Sequence, residues 1–363
     1  MKFALIITNL AGGGAEKAIL KLANALLKRS HTVHLILFEE IIEYNIPKGV
    51  ILHTLRKGSK GAPKGVLGKL FLAKKLKKVY GNLDNHHNFD VTISTLPFTD
   101  EIVYRANIHN VWHRIADALS IEIDELRNLG RVKKAQRRLR RYQKIYRGKQ
   151  LIVVSEGLSE EILNRLGVQD ATIRVIHNIY PFESIRNSGM QENPNIPDEP
   201  YIIHVGRFST QKRHDLLFHA FSNMESPHKL VLLTQQSDQL NALIEDHNLS
   251  QKVIIPGFQK NPYNWIKQAD LLVLCSDHEG LPNVLVEALI LQTRVISTDC
   301  PSGPKEILGN LGEKYLVECN NAEALLQAMN QALNEPFREP DNFRNKFSSE
   351  ANIIKYEQLA NQT

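Results

Sequence analysis

The sequence predicts an α/β protein with two doubly wound, Rossmann-like domains that face a central cleft. A chain of 363 residues is too long for one ordinary core. In each half, short apolar runs alternate with longer amphipathic segments, which is typical of parallel strands covered by helices. A polar stretch at 180–200, rich in Pro, Asn, Ser and Glu, predicts a linker between the halves. Because ligands bind beyond the carboxyl ends of parallel strands, two such sheets offer a cleft for two substrates.

Each half contains enough apolar runs for a sheet of its own. In the first half we expect strands at 3–8, 32–38, 91–96, 111–115 and 151–154, and helices near 15–30 and 68–80. In the second half we expect strands at 201–205, 229–234, 253–256, 271–275 and 294–297, and helices near 214–224, 239–247, 262–268 and 284–291. The predicted domains are 1–180 and 181–342, followed by a terminal helix at 343–363.

The charge balance is basic, with a formal net charge of +6. The excess is concentrated at 56–78 and 131–149, which suits anionic lipid or a phosphorylated substrate, and a solvated charged helix is the alternative for 131–144. No nucleic-acid-binding motif accompanies it, so nucleic acid is not an expected partner. Cys275, Cys300 and Cys319 lack the spacing of a zinc site, and so few cysteines fit a reducing cytoplasm. No apolar run approaches the roughly 20 residues of a membrane-spanning helix.

Three glycines, Gly12, Gly13 and Gly14, stand between the first predicted strand and its helix. Glycine lets a ligand approach the backbone closely, and a helix N-terminus favours an anion. A phosphate or acceptor contact is one interpretation of this loop. A tight strand-to-helix turn with no ligand is the other.

Two further loops follow predicted strands of the second half. Arg207 and Lys212 stand where two cations could neutralise a diphosphate and stabilise a leaving nucleoside diphosphate. Glu279 lies in a Gly- and Pro-containing turn, and Glu287 lies in the helix after it. Their carboxylates can accept hydrogen bonds from sugar hydroxyls. Solvated charges on an exposed loop are the alternative for each residue alone, but the combination predicts a sugar-diphosphate site.

Together these segments resemble glycosyltransferase family 4, the retaining enzymes of the GT-B fold, and in particular bacterial members that build cell-surface glycans. The family pattern of two glutamates eight positions apart is matched by Glu279 and Glu287. Its Gly-Arg and Lys element is matched by Gly206, Arg207 and Lys212. Segments 152–158 and 175–179 resemble the family's passage between the domains.

The resemblance implies a role for each matched residue. Arg207 and Lys212 would hold the donor diphosphate, Glu279 would face the transferred sugar, and Glu287 would bind the ribose hydroxyls. The terminal helix would pack back on the first, acceptor-binding domain. Further donor contacts are expected from Gly14, Thr234, Gly257, Phe258, Gly280, Leu281, Asn283 and Val284.

One position departs from the family pattern. Members often carry a histidine after a strand of the first domain, close to the sugar. Aligned on the strand at 111–115, that position falls near Ala116, followed by Asp117, whereas His113 stands three residues earlier. His113 and Asp117 are therefore candidate catalytic residues, and a packed imidazole is the alternative for His113.

For the reaction, the resemblance implies retaining transfer of a hexose or N-acetylhexosamine from a UDP-sugar. The absence of an Asp-x-Asp element at the expected place predicts no metal cofactor. The expected acceptor is a lipid-linked glycan, such as lipopolysaccharide, capsule or O-antigen, at the inner face of the cytoplasmic membrane. Acceptor and anionic-membrane contacts are expected from Gly12, Gly13, Lys74, Lys78, Arg137, Arg138 and Arg141.

Two other interpretations remain open at this point. The chain could be a non-catalytic scaffold that binds a nucleotide sugar, although the four matched charged residues argue against it. It could also be an epimerase or a phosphorylase of the same fold. An epimerase would need a different set of carboxylates, and a phosphorylase would need a lysine for pyridoxal phosphate.

Overall fold

The first half of the chain forms a seven-stranded parallel sheet in the computed structural model, which describes residues 1–58, 61, 63, 65–87 and 89–362. The strands lie in the order β3-β2-β1-β4-β5-β6-β7, so the strand order reverses between β1 and β4. Their bounds are Lys2–Ile7 for β1, Thr32–Leu37 for β2, Ile51–Thr54 for β3, Val91–Thr95 for β4, Val111–Ile115 for β5, Gln150–Val153 for β6 and Thr172–Val175 for β7.

Helices cover both faces of this sheet because β1, an interior strand, is apolar on both. Phe3, Leu5 and Ile7 of β1 pack in one core cluster, and Ala4 and Ile6 pack in the other. This alternation follows from the two-residue period of a strand. The helices are α1 (Gly14–Lys28), α2 (Val66–His87), α3 (Pro97–Ala106), α4 (Leu119–Asn128), α5 (Val132–Tyr146) and α6 (Glu156–Glu160).

The second half forms a six-stranded parallel sheet with the order β10-β9-β8-β11-β12-β13, which reverses between β8 and β11. The helices of this half are α7 (Phe182–Gly189), α8 (His214–Ser222), α9 (Asp238–Asp246), α10 (Tyr263–Gln268), α11 (Asn283–Ile290), α12 (Pro304–Leu308), α13 (Gly312–Tyr315), α14 (Ala322–Leu333) and α15 (Phe343–Phe347). Its strands are β8 (Tyr201–Val205), β9 (Lys229–Leu233), β10 (Val253–Ile254), β11 (Leu271–Leu274), β12 (Arg294–Thr298) and β13 (Leu316–Val317).

The predicted linker at 180–200 is wrong in its first half, because it contains α7. Ile185 is buried, and the Arg186 Nε donates a hydrogen bond of 3.1 Å to the Ile290 carbonyl at the end of α11. Gly189 lies so close to α11 that a Cβ there would stand 2.5 Å from Leu291 Cδ2. The polar composition of the segment concealed this one-sided packing.

The predicted single terminal helix is also interrupted. Ser348 ends α15 and caps α16 (Ser349–Glu357), because its side chain accepts a hydrogen bond of 3.2 Å from the Ala351 amide. The chain divides into a unit of Met1–Ile179 together with the segment that begins at Phe347, and a second unit of Tyr180–Lys346. Among the described residues, no helix is long and apolar enough to cross a membrane.

Helix α16 is attached to the first unit by packing and by an ion pair. Ile353 belongs to the core cluster that contains α1. The Glu357 carboxylate accepts hydrogen bonds of 2.6 Å from Arg29 Nε and 2.7 Å from His31 Nε2. The hydrogen bond from Arg29 is the largest influence on the Glu357 carboxyl, and it lowers the pKa of that group below its ordinary value.

The attachment of α16 predicts a pH-dependent loss of stability in Glu357→Gln. Because the folded-state pKa is lowered, the contribution of this carboxylate is present above its unfolded-state pKa and disappears as pH falls through the folded value. The melting temperature should fall by a few degrees at about pH 7.5, and the difference should be smaller at about pH 3, which lies below the ordinary glutamate pKa of about 4.3. Scanning fluorimetry at both pH values measures it.

The matched control is Glu339→Gln, because the Glu339–Arg344 pair spans only five residues of the second unit. It should change the melting temperature less than Glu357→Gln does. An equal loss in the two variants, or a loss in Glu357→Gln that persists undiminished at low pH, would contradict the assignment.

Candidate functional site

The predicted sugar-diphosphate residues converge where the strand order of the second sheet reverses. Residues 206–213 follow β8, and residues 275–282 follow β11, which is the neighbour of β8. In an open parallel sheet this topological switch point is the general place for a ligand, because the two loops turn in opposite directions and leave a crevice.

Lys212 is positioned by a short 3-10 turn, Thr210–Lys212, and by the glycine that begins its loop. The lysine stem runs over Gly206, where a Cβ would lie 3.3 Å from Lys212 Cδ. The Lys212 Nζ reaches Glu279 Oε1 at 2.5 Å and thereby joins the two loops. An ammonium carries three N–H donors, and this contact uses one of them.

Glu279 is a buried carboxylate, only 8% exposed. Besides the Lys212 contact, its Oε1 accepts a hydrogen bond of 2.6 Å from Ser276 Oγ. Its backbone N–H donates to the Pro301 carbonyl at 3.3 Å. Burying a carboxylate is costly unless it is paired and hydrogen-bonded, and Lys212 and Ser276 supply the two partners that hold Glu279 in one orientation.

Backbone and side-chain bonds also fix the two loops to each other. The Asp277 amide donates to the Gln211 carbonyl at 2.9 Å, and Gln211 Nε2 donates to the His278 carbonyl at 2.8 Å. Arg213 Nη1 donates to Asp277 Oδ1 at 2.9 Å. These hydrogen bonds hold the charged residues of the two loops in fixed positions.

Glu287 lies on α11, one helix turn beyond Asn283, and is likewise only 8% exposed. The Tyr263 hydroxyl donates to Glu287 Oε1 at 3.1 Å. Burial and then the neighbouring Glu287 charge raise the pKa of Tyr263, so this phenol keeps its proton and remains a donor. Asn283 Oδ1 accepts a hydrogen bond of 2.6 Å from the Tyr180 hydroxyl.

Gly303 is a site residue that the sequence analysis missed. Its φ of +101° favours glycine, and a Cβ there would overlap Pro282 Cδ and lie 3.2 Å from Leu281 Cα. Gly303 therefore sets how closely the segment after β12 approaches the loop that contains Glu279. The Pro-Ser-Gly-Pro sequence at 301–304 was the available signal, since glycine between turn residues often marks a positive φ.

The sequence analysis also missed two buried histidines, His204 and His214, which are neighbours of Lys212. Burial, and then the neighbouring His214, lower the pKa of His204 well below its ordinary value. Burial, and then the Lys212 charge, lower the pKa of His214 to about 4. Both imidazoles are neutral near pH 7, so Lys212 stands beside packed rings and not beside further cations.

Comparison with known proteins identifies the kind of site. The family described as "Glycosyltransferase Family 4" matches residues 12–183, and "Glycosyl transferases group 1" matches residues 186–352. An N-acetylgalactosamine-N,N'-diacetylbacillosaminyl-diphospho-undecaprenol 4-alpha-N-acetylgalactosaminyltransferase from Campylobacter jejuni is 30% identical over 338 residues, which are 90% of this chain and 89% of the relative. The chain belongs to glycosyltransferase family 4.

Two other proteins extend the comparison. A lipopolysaccharide 1,6-galactosyltransferase from Escherichia coli is 32% identical over 165 residues, 43% of this chain and 45% of the relative. The solved structure of a sucrose-phosphate synthase from Thermosynechococcus elongatus superposes with a TM-score of 0.77 at 20% identity and covers 99% of this chain and 98% of that one. The predicted family, the α/β fold of the GT-B type and the transferase class are thereby confirmed, which sets the scaffold interpretation aside.

The remaining predicted donor residues in the second unit of this glycosyltransferase differ in their surroundings. Arg207 is exposed and makes no hydrogen bond or ion pair with another described residue, so its guanidinium is available to an anion. The Thr234 hydroxyl accepts a hydrogen bond of 3.0 Å from the Phe208 amide. Phe258 is exposed after Gly257, which has a φ of +79°. Their roles, and those of Gly280, Leu281 and Val284, stay predictions.

Carboxylates border the glycine loop of the first unit. Gly13 caps α1 and Gly14 begins it. A Cβ on Gly12 would lie 2.6 Å from Glu43 Oε2, and one on Gly13 would overlap the Glu16 carboxylate. Two negative charges at this helix N-terminus offset its attraction for an anion. Of the interpretations from the sequence, the arrangement favours contact with acceptor hydroxyls over contact with a phosphate.

His113 lies on β5 and takes part in a buried hydrogen-bond network. Its Nδ1–H donates to Asp100 Oδ1 at 3.0 Å, with Ser94 Oγ at 2.8 Å from the same nitrogen. The Tyr146 hydroxyl donates to Asp100 Oδ2 at 2.8 Å. This geometry favours the packed imidazole over a catalytic His113. Asp117 is exposed just beyond the carboxyl end of β5 and stays a candidate.

The basic residues predicted to meet acceptor or membrane differ in their surroundings. Lys74 and Lys78 are exposed on α2, and Arg137 is exposed on α5. By contrast, Arg138 pairs with Glu122, and Arg141 lies 3.6 Å from Glu101 Oε2. Part of the positive charge of α5 is therefore neutralised within the unit, whereas Lys74 and Lys78 pair with no described residue.

The close approach of Gly303 to the Glu279 loop predicts that Gly303→Ala weakens donor binding. The new Cβ must push Pro282 away, and each ~1.4 kcal/mol of strain that donor binding has to overcome lowers affinity tenfold. We expect a loss of UDP affinity on the order of tenfold, measured by isothermal titration calorimetry.

Gly309→Ala is the matched control. Gly309 also has a positive φ, +51°, but apart from its chain neighbours and the local helix backbone no described atom lies within 4 Å of the place that its Cβ would take. It should carry the backbone strain without a change in UDP affinity. Equal affinities in Gly303→Ala and wild type would show that the contact does not position the loop.

Proposed function

We propose that this protein is a retaining glycosyltransferase that moves a hexose or N-acetylhexosamine from a UDP-sugar to a lipid-linked or lipopolysaccharide, capsule or O-antigen glycan at the cytoplasmic face of the membrane. The observation that carries the proposal is the Lys212–Glu279–Ser276 cluster at the switch point of the second sheet. With the exposed Arg207 on the same loop as Lys212, two cations and a fixed carboxylate stand beyond the carboxyl ends of the adjacent strands β8 and β11.

In the proposed reaction the acceptor hydroxyl attacks the anomeric carbon from the face that the diphosphate leaves. The bond from the anomeric carbon to the phosphate oxygen breaks, and that oxygen takes the proton of the attacking hydroxyl. Lys212 and Arg207 stabilise the charge that develops on the departing diphosphate. Glu279 accepts hydrogen bonds from hydroxyls of the transferred sugar and, through its contact with Lys212, keeps the ammonium near the phosphate.

Glu287 holds the donor at its other end in this proposal. Its carboxylate can accept hydrogen bonds from both ribose hydroxyls, which gives a function to a buried glutamate on the otherwise apolar face of α11. The hydrogen bond from Tyr263 reduces the cost of burying the charge before the ribose arrives.

The acceptor class is supported by relatives and by charge. The named activities of the Campylobacter and Escherichia relatives concern a diphospho-undecaprenol-linked glycan and lipopolysaccharide. The net charge of +6 and the exposed lysines of α2 suit an anionic lipid surface. The glycine loop, with Glu16 and Glu43 beside it, would meet acceptor hydroxyls.

The ribose assignment predicts that Glu287→Ala abolishes stabilisation by UDP. Wild-type protein should melt at a higher temperature with UDP at about 100 times its dissociation constant, which corresponds to roughly 2.7 kcal/mol of added stability. Scanning fluorimetry with and without UDP measures the shift. Glu245→Ala is the control, since Glu245 is an exposed glutamate on α9 of the same unit. A retained shift in Glu287→Ala would remove the assignment.

The leaving-group role predicts that Lys212→Met lowers kcat by about 10²-fold or more, in the range found when one transition-state charge contact is removed. Mass spectrometry of acceptor conversion measures the rate across a panel of UDP-hexoses and UDP-N-acetylhexosamines. NMR coupling constants of the product give the anomeric configuration. An inverted product would exclude the front-face reaction, and no transfer from any UDP-sugar would exclude the proposed donor class.

A further inference from the structure

The first two turns of α2 expose a cluster of large apolar side chains. Val66, Leu67, Leu70 and Phe71 are 67%, 83%, 48% and 52% exposed, although they stand within six consecutive residues. Residues at these positions fall on one face of a helix. Exposed apolar clusters of this kind mark a surface that is covered by something else.

The opposite face of α2 fixes the orientation of this patch. Leu72, Ala73 and Leu76 are buried in the core cluster that contains Ile6 of β1 and Ile102 of α3. The helix therefore cannot rotate to bury Leu67 and Phe71 without exposing its packed side. The apolar patch is a constant feature of the folded first unit.

Lysines continue the same stripe toward the C-terminal end of α2. Lys74, Lys77 and Lys78 are exposed, and none of them forms an ion pair or hydrogen bond with another described residue. Lys75 Nζ lies 5.6 Å from the centre of the Phe71 ring. Apolar residues followed by such lysines match a bilayer that offers hydrocarbon and anionic headgroups at successive depths.

A second copy of the chain fits this stripe poorly. Two copies packed with parallel α2 helices would bring their lysines together, and antiparallel helices would place lysines on apolar side chains. The exposed cations of α5 fit a mainly electrostatic contact instead, since Val132 is the one large apolar side chain that this described helix exposes beside Lys133, Lys134, Arg137 and Arg140.

We propose that α2 is the membrane-docking element of this protein, with Leu67 and Phe71 inserted below the headgroups of an anionic bilayer and Lys74 and Lys78 bound to those headgroups. This inference rests on the proposed function, because it supplies the surface by which the enzyme reaches a lipid-linked acceptor. It adds that attachment is partly hydrophobic and therefore resists salt, whereas attachment through α5 alone would not.

The direct test is fluorescence of Leu67→Trp. The two native tryptophans, Trp112 and Trp265, are fully buried, so they change little when the protein meets a vesicle. With vesicles of equal parts phosphatidylcholine and phosphatidylglycerol, the emission of the new tryptophan should shift to the blue. Vesicle binding without a shift would overturn the proposal.

Flotation in about 1 M NaCl, where the Debye length is about 3 Å, isolates the hydrophobic part. Wild-type protein should remain bound, and Leu67→Ser combined with Phe71→Ser should lower the vesicle partition coefficient by on the order of tenfold or more. Leu129→Ser combined with Val132→Ser is the matched control, because those side chains are 67% and 50% exposed outside α2. Equal losses in both pairs, or no binding of wild type, would overturn the proposal.

Lys74→Ala combined with Lys78→Ala should weaken binding only at low salt. The UDP-dependent thermal shift is measured on every variant in solution, where no bilayer is needed. A wild type that docks on vesicles but shows no UDP shift would count against the proposed donor alone. A normal UDP shift with an unshifted Leu67→Trp spectrum would count against the α2 surface alone.

Discussion

The Lys212–Glu279 ion pair is the contact on which the rest of the site depends. It joins the loops that follow β8 and β11, and it lies where the strand order of the second sheet reverses. A carboxylate that is 8% exposed is stable only with a cation and further donors, which Lys212 and Ser276 provide. The pair also orients the Lys212 ammonium before any ligand arrives, so the proposed diphosphate contact would need little reorganisation.

The two units differ in the charged side chains at their strand ends. The second unit presents Arg207 and Lys212, which suit the diphosphate of a nucleotide sugar. The glycine loop of the first unit is bordered by Glu16 and Glu43, which suit hydroxyl donors and repel phosphate. This difference is consistent with a donor held by its phosphates and an acceptor recognised by its sugar.

Positive charge outside the strand ends is also of two kinds. On α5, Arg138 and Arg141 are engaged by carboxylates of the same unit, so the net charge of that helix overstates its available cations. On α2, Lys74 and Lys78 pair with no described residue and follow directly on exposed apolar residues. Counting lysines and arginines along the sequence treats the two helices alike, although of the two only α2 combines charge with a cluster of exposed apolar side chains.

The sequence by itself determined the family, the two parallel sheets and the main charged residues of the site, because strand and helix periodicities are local and because Glu279 and Glu287 lie on one strand–turn–helix unit. It did not reveal α7 or the interruption at Ser348, where one-sided packing and a single cap outweigh composition. Only the tertiary structure decided that Gly303 packs against the loop that contains Glu279. It also decided that the buried His113 imidazole is hydrogen-bonded to Asp100. Those contacts join residues that are far apart in the chain, and a local pattern carries no information about which distant segments meet.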